Sequence, residues 1–139
     1  MNVSSKQLIL ITVFANAFII IALGHGVIVL GIAEIYFTFQ AIIDLLFGKY
    51  VENFLLWLAS VIGLLGQISL LTGLCWNKNM FQFKKSLKLL GVGLLLLSFG
   101  VLYTFLLNYS DTSTLTLFSG ITFLIASIAL VIHTILNKA

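Results

Sequence analysis

The groups in this sequence that could do chemistry are few, and most stand alone in apolar surroundings. His25 lies between Gly24 and Gly26, inside a run of 27 uncharged residues from Gln7 to Ala33. An ionisable side chain in such a run is costly, which makes it a candidate for a proton or ligand contact. The competing reading is a neutral imidazole hydrogen-bonded to a neighbouring helix. Asn16 and Gln67 are the other polar groups placed deep in apolar runs, and a direct amide pairing between them would fix helix register. His133 stands near the end of the last apolar run. If the two histidines lie on separate crossing helices, they sit roughly 20 Å apart in depth, too far to be the two axial ligands of one haem. Cys75 is the only cysteine, so no disulfide forms within the chain, and it reads as a reduced, inert thiol. There is no C-x-x-C, no Walker A, no H-E-x-x-H and no G-x-G-x-x-G after a strand. Gly91-Val92-Gly93 falls within an apolar helix, where no phosphate loop could form. The expectation is no catalytic set, no metal and no resident cofactor; a quinone or a lipid is the kind of ligand such a chain could take.

The elements that must position these residues are set by the solvent. Of 139 residues only 11 are charged, seven Lys and four acids, and 61% are hydrophobic, with no proline. Mean hydropathy is +1.21. A soluble domain of this size needs a polar shell, which these residues cannot supply, and disordered chains are poor in the Ile, Leu and Phe that abound here. Uncharged runs of 27, 25, 22 and 26 residues span Gln7–Ala33, Asn53–Asn77, Leu89–Ser110 and Thr112–Asn137. Each exceeds the roughly 20 residues that cross about 30 Å of hydrocarbon. Short alternating segments of the barrel type are absent. The expected fold is an all-α membrane protein, one domain over 1–139: a four-transmembrane-helix bundle with helices at about 8–33, 54–76, 88–108 and 115–136. The start resembles a signal peptide with Ala15-Asn16-Ala17 as an A-x-A site, but Phe18 to Leu23 continue the apolar run, so the first helix is expected to be retained.

Lysine placement orients this bundle. Lys6, Lys78, Lys84, Lys85, Lys88 and Lys138 fall on one side, and Lys49 with all four acids on the other. The positive-inside rule then puts both termini in the cytoplasm of a multi-pass protein of the inner (plasma) membrane. The basic pI of about 9.2 follows from this topology and is no sign of a nucleic-acid partner. Between the first two spans, about 34–50, Glu34, Thr38, Ala41, Asp44 and Gly48 share one helical face, with Ile35, Phe39, Ile42 and Phe47 largely opposite. That pattern predicts an outer interfacial amphipathic helix. On the other side, Phe81 and Phe83 beside Lys84, Lys85 and Lys88 predict a lipid anchor, aromatics at headgroup depth and ammonium groups on anionic lipid.

Close helix packing in lipid relies on small residues. Ala17, Gly24 and Gly31 are spaced by seven along the first span, with Ala15, Ala22, Gly26 and Ala33 about opposite. Gly63 and Gly73 continue the theme in the second span. Two small-residue rows on one helix imply neighbours on both sides, from the same chain or from another subunit. Leu23-Gly24-His25-Gly26, the outer amphipathic stretch, Gly63-Leu64-Leu65-Gly66 and Leu71-Thr72-Gly73-Leu74 together resemble the DoxX-type small four-helix membrane proteins over the first half of the chain. The resemblance implies a membrane subunit sometimes associated with quinone-linked oxidoreductases and no catalytic residue that transfers. The expected function is a non-catalytic accessory, assembly or anchoring subunit, with lipids and other membrane subunits or a homo-oligomer as partners. The alternatives are a small oligomeric conduit or ligand-binding bundle using His25, Asn16 and Gln67, and a quinone-linked redox partner.

Overall fold

The computed structural model describes residues 4–23, 26–48, 54–75, 81–107 and 110–136. Its elements in chain order are α1 (Ser5–Ala17), β1 (Ile20–Leu23), β2 (Gly26–Val29), α2 (Leu30–Leu46), α3 (Phe54–Cys75), α4 (Phe81–Leu106) and α5 (Ser110–Leu136). The last three are long and apolar enough to cross a membrane. Polarity is arranged inside out, as a lipid solvent demands. Thr12, Asn16, Glu34, Ser60, Ser98, Thr116 and Ser127 are buried, while Phe118, Ile125, Ile128 and many other large apolar side chains face outward. Such an apolar surface is far larger than a soluble monomer carries.

The helix expected at 8–33 is not continuous. α1 opens with a capping box, in which the Gln7 N–H donates to Ser4 Oγ (3.3 Å) and the Ser4 N–H to Gln7 Oε1 (2.8 Å). It then ends at Ala17, and the chain makes an antiparallel hairpin pairing Ile20 with Val29, Ile21 with Ile28, Ala22 with Val27 and Leu23 with Gly26. The Leu30 N–H donates to the Ile19 carbonyl at 2.7 Å, so α2 begins where α1 stops. The physical reason lies in composition. Ile19-Ile20-Ile21 and Val27-Ile28-Val29 are β-branched runs flanking a glycine pair, which suit paired strands better than helix. Length and hydropathy alone do not separate a buried strand from a buried helix. Packing of β1 against α5 holds the hairpin, with Ile19 and Ile21 fully buried.

Residues 34–46 lie within α2, and its faces are the reverse of the interfacial expectation. Ala33, Glu34 and Ala41 are buried at 0–2% exposure, whereas Ile32, Ile35, Tyr36 and Phe39 are 54–65% exposed. An interfacial helix would turn its charged face to water; here the polar and small face is turned onto α3. Gly48, at φ +66, ends the helix in the left-handed conformation that glycine adopts without strain. α4 also starts seven residues earlier than expected, so Lys84, Lys85 and Lys88 sit on its first turns instead of in a loop. No proline or glycine interrupts Phe81 to Leu90.

α3 and α4 form the tightest pair. A Cβ on Gly66 would meet Leu95 at 2.9 Å and the Gly91 carbonyl at 3.0 Å; one on Gly91 would meet Leu70 at 2.8 Å and the Gly66 carbonyl at 3.0 Å. α4 packs on α5 through Phe99 and Phe123, whose ring centroids lie 5.8 Å apart. α5 and α3 both contact α1, and α2 lies along α3.

Candidate functional site

The break between α1 and α2 brings Asn16, one residue before the end of α1, beside Glu34, in the second turn of α2. Asn16 Nδ2 donates to Glu34 Oε1 at 3.3 Å, and Gln67 Nε2 from α3 donates to Glu34 Oε2 at 2.6 Å. Glu34 and Asn16 are both 0% exposed. Gly63 makes room for the carboxyl: a Cβ there would collide with Glu34 Oε1 and would lie 2.9 Å from Ser98 Oγ. Ser98 donates its hydroxyl hydrogen to the Ala59 carbonyl at 2.7 Å, and Ser60 to the Leu56 carbonyl at 2.8 Å. Asn16 Oδ1 is buried with no hydrogen-bond partner. Four helices therefore converge on one carboxyl whose partners among the described residues are neutral amides.

The sequence-expected residues fall differently about this centre. Asn16 and Gln67 do not pair directly; Glu34 stands between them and takes a bond from each. His25 and Gly24 lie outside the described residues. Ala17 and Gly31 do not form a row on one helix. The Cβ position of Gly31 is 3.0 Å from Ala17 Cβ, so α2 begins flush against the end of α1. Gly63 lines the carboxyl, whereas a Cβ on Gly73 would meet only ordinary contacts from Leu87 and Lys88, near the C-terminal end of α3. Lys88 is half-buried, and its Nζ donates to Ser5 Oγ at 2.7 Å, tying the start of α1 to α4. Lys84 and Lys85 are also half-buried on the same turns. His133 is half-buried in the last turn of α5, and Cys75 is an exposed free thiol. Among the described residues, no group of three His, Cys, Asp or Glu side chains could hold a metal ion.

Glu34 is the residue that sequence reasoning placed elsewhere. At the close of a straight first helix it lies at the outer surface, about 27 Å from Asn16 at about 1.5 Å per residue. The hairpin removes that separation. The usable signal was the symmetric β-branched pattern around Gly24-His25-Gly26, which reads as strand, turn, strand.

The fold is helical, with three helices long and apolar enough to cross a membrane and a polar cluster at the break between α1 and α2. No family model, curated protein sequence or solved structure matches the chain.

Proposed function

We propose that the chain crosses the plasma membrane four times, its first crossing made by α1 and α2 in series, and that it works as a ligand-binding bundle centred on Glu34. The observation that carries this reading is the fully buried carboxyl held by Asn16 and Gln67. On a crossing α3, Gln67 lies about 20 Å from Phe54 and about 12 Å from Cys75, well within hydrocarbon. A broken helix with ionisable and amide side chains at the break is how membrane carriers build solute sites at that depth, and an acid there carries a cost that packing alone does not offset. The accessory-subunit expectation draws on short loops, the lack of a catalytic set and two small-residue rows along one helix; the break bears on the last of these alone.

Native mass spectrometry of the protein purified in mild detergent tests this. Wild type should retain a small bound species that Glu34→Ala lacks. Identical spectra, or added mass made up only of other protein subunits, would refute the binding reading and return the accessory one. A bound quinone lost with Glu34 would favour the redox alternative implied by the DoxX-type resemblance.

The orientation is checked separately. In a Cys75→Ser background, a cysteine at Ser113 should react with an impermeant maleimide added to intact cells, and one at Asn79 only after lysis. The lysine distribution motivates this. Reaction of both in intact cells would overturn the four-crossing topology.

A further inference from the structure

The hydrogen bonds around Glu34 leave one buried acceptor without a partner. Every hydroxyl hydrogen at the site is already committed: Ser98 to the Ala59 carbonyl and Ser60 to the Leu56 carbonyl. One amide hydrogen of Asn16 and one of Gln67 point at the carboxyl. Asn16 Oδ1 has no partner at all, although its residue is fully buried. The lone pairs of Ser98 Oγ lie close by, since Ser98 Oγ and the Glu34 carboxyl both press on the point where Gly63 would carry a Cβ.

An unmet acceptor beside a buried carboxylate is satisfied by a positive ligand. A proton meets only part of the need. On Glu34 it leaves Asn16 Oδ1 orphaned; reversing the amide to reach it strands Nδ2 instead. A cation bridging the carboxylate and Oδ1 satisfies both while Nδ2 keeps its bond. One positive charge also neutralises the single carboxylate, as a low-dielectric interior requires. The donors are hard oxygens, with no thiol or imidazole among the described residues at the site, which suits an alkali ion over a transition metal.

We propose that Glu34, Asn16 and Ser98 form a binding site for one monovalent alkali cation, held between the Glu34 carboxyl and Asn16 Oδ1 at the break between α1 and α2. The proposal rests on the ligand-binding reading and names its ligand class. The chain contains only two glutamates, Glu34 and Glu52. Labelling glutamate with 13C at the side-chain carboxyl in a Glu52→Gln background therefore leaves one carboxyl resonance to follow. In detergent micelles at fixed pH and ionic strength, replacing choline by sodium should shift that resonance saturably. Asn16→Leu should weaken the response about tenfold or more, as loss of a metal-site partner does. Ser98→Ala, a smaller change that keeps the packing, should weaken it less, and serves as the test if Asn16→Leu fails to fold. A resonance that ignores sodium, potassium and lithium overturns the proposal, as does a sodium shift unchanged in both variants. A resonance responding to pH alone assigns the site to a proton and likewise overturns it. Retention of an organic solute by the same sample, without a sodium response, would refute the cation while leaving the ligand-binding reading intact.

Discussion

Gly63→Leu should prevent the protein from accumulating as a monodisperse species, whereas Gly100→Leu should leave it nearly unchanged. Both glycines sit within long apolar helices, so composition does not separate them. Their surroundings do. At Gly63 the first added carbon already collides with the Glu34 carboxyl and lies 2.9 Å from Ser98 Oγ, while at Gly100 there is nothing within 4 Å. The Glu34 head cannot simply swing aside, because amides from α1 and α3 hold both its oxygens. Overpacking a close-fitted interior costs about 1–3 kcal/mol and at times more, and the remaining leucine carbons must then force α2 off α3. Gly63→Ala, which adds only the colliding carbon, should lower the thermal midpoint without abolishing folding. Fluorescence-detected size exclusion after a heating series measures all three variants. A Gly63→Leu protein as stable as Gly100→Leu would mean that Glu34 does not pack against α3.

Glu34→Ala should destabilise the bundle, Glu34→Gln much less, and an apolar triple variant should recover what alanine loses. Removing the carboxyl leaves buried N–H groups of Asn16 and Gln67 without an acceptor and opens a void between α2 and α3. Stranding a buried donor costs about 1–3 kcal/mol in proteins generally. Inside a membrane the cost falls toward the lower end, since hydrogen bonds there average about 0.6 kcal/mol, the unfolded chain finding other partners. The void adds its own cavity term. The Glu34→Gln change keeps the volume: the new side-chain carbonyl accepts from Gln67, and the new amide donates to Asn16 Oδ1 once the Asn16 amide reverses. Asn16→Leu, Glu34→Met and Gln67→Met together remove the carboxyl and both amides at once, and replacing a hydrogen-bonded buried set by apolar residues of similar volume is often neutral or stabilising. The expected order of thermal midpoints is Glu34→Ala lowest, then Glu34→Gln, with wild type and the triple variant highest. A stable triple variant that retains no bound species would show that the polar set exists for binding and not for folding. If Glu34→Ala were as stable as wild type, the three side chains would not form one network.

Much of this architecture follows from sequence because lipid imposes a local rule. A crossing segment must exclude charge over a fixed length, and that can be read without knowing any neighbour. Runs expected at 54–76, 88–108 and 115–136 correspond to α3 (Phe54–Cys75), α4 (Phe81–Leu106) and α5 (Ser110–Leu136), differing mainly where flanking residues continue the helix. Asn16 and Gln67 stand out for the same reason, as amides far from any charge.

Two features were decided by tertiary structure. The first is the break. A fully apolar stretch satisfies its surroundings as helix or as strand, and contact between β1 and α5 selects the hairpin for Ile20–Val29. The second is Glu34. By sequence it is the charge that closes the first apolar run and so belongs at the surface; in the fold the hairpin returns the chain to Asn16 and sets Glu34 against Gly63. A charge count along the chain locates where a segment could leave the membrane. Whether it leaves depends on partners from other helices that satisfy a buried carboxyl, and those partners are 18 and 33 residues away in sequence.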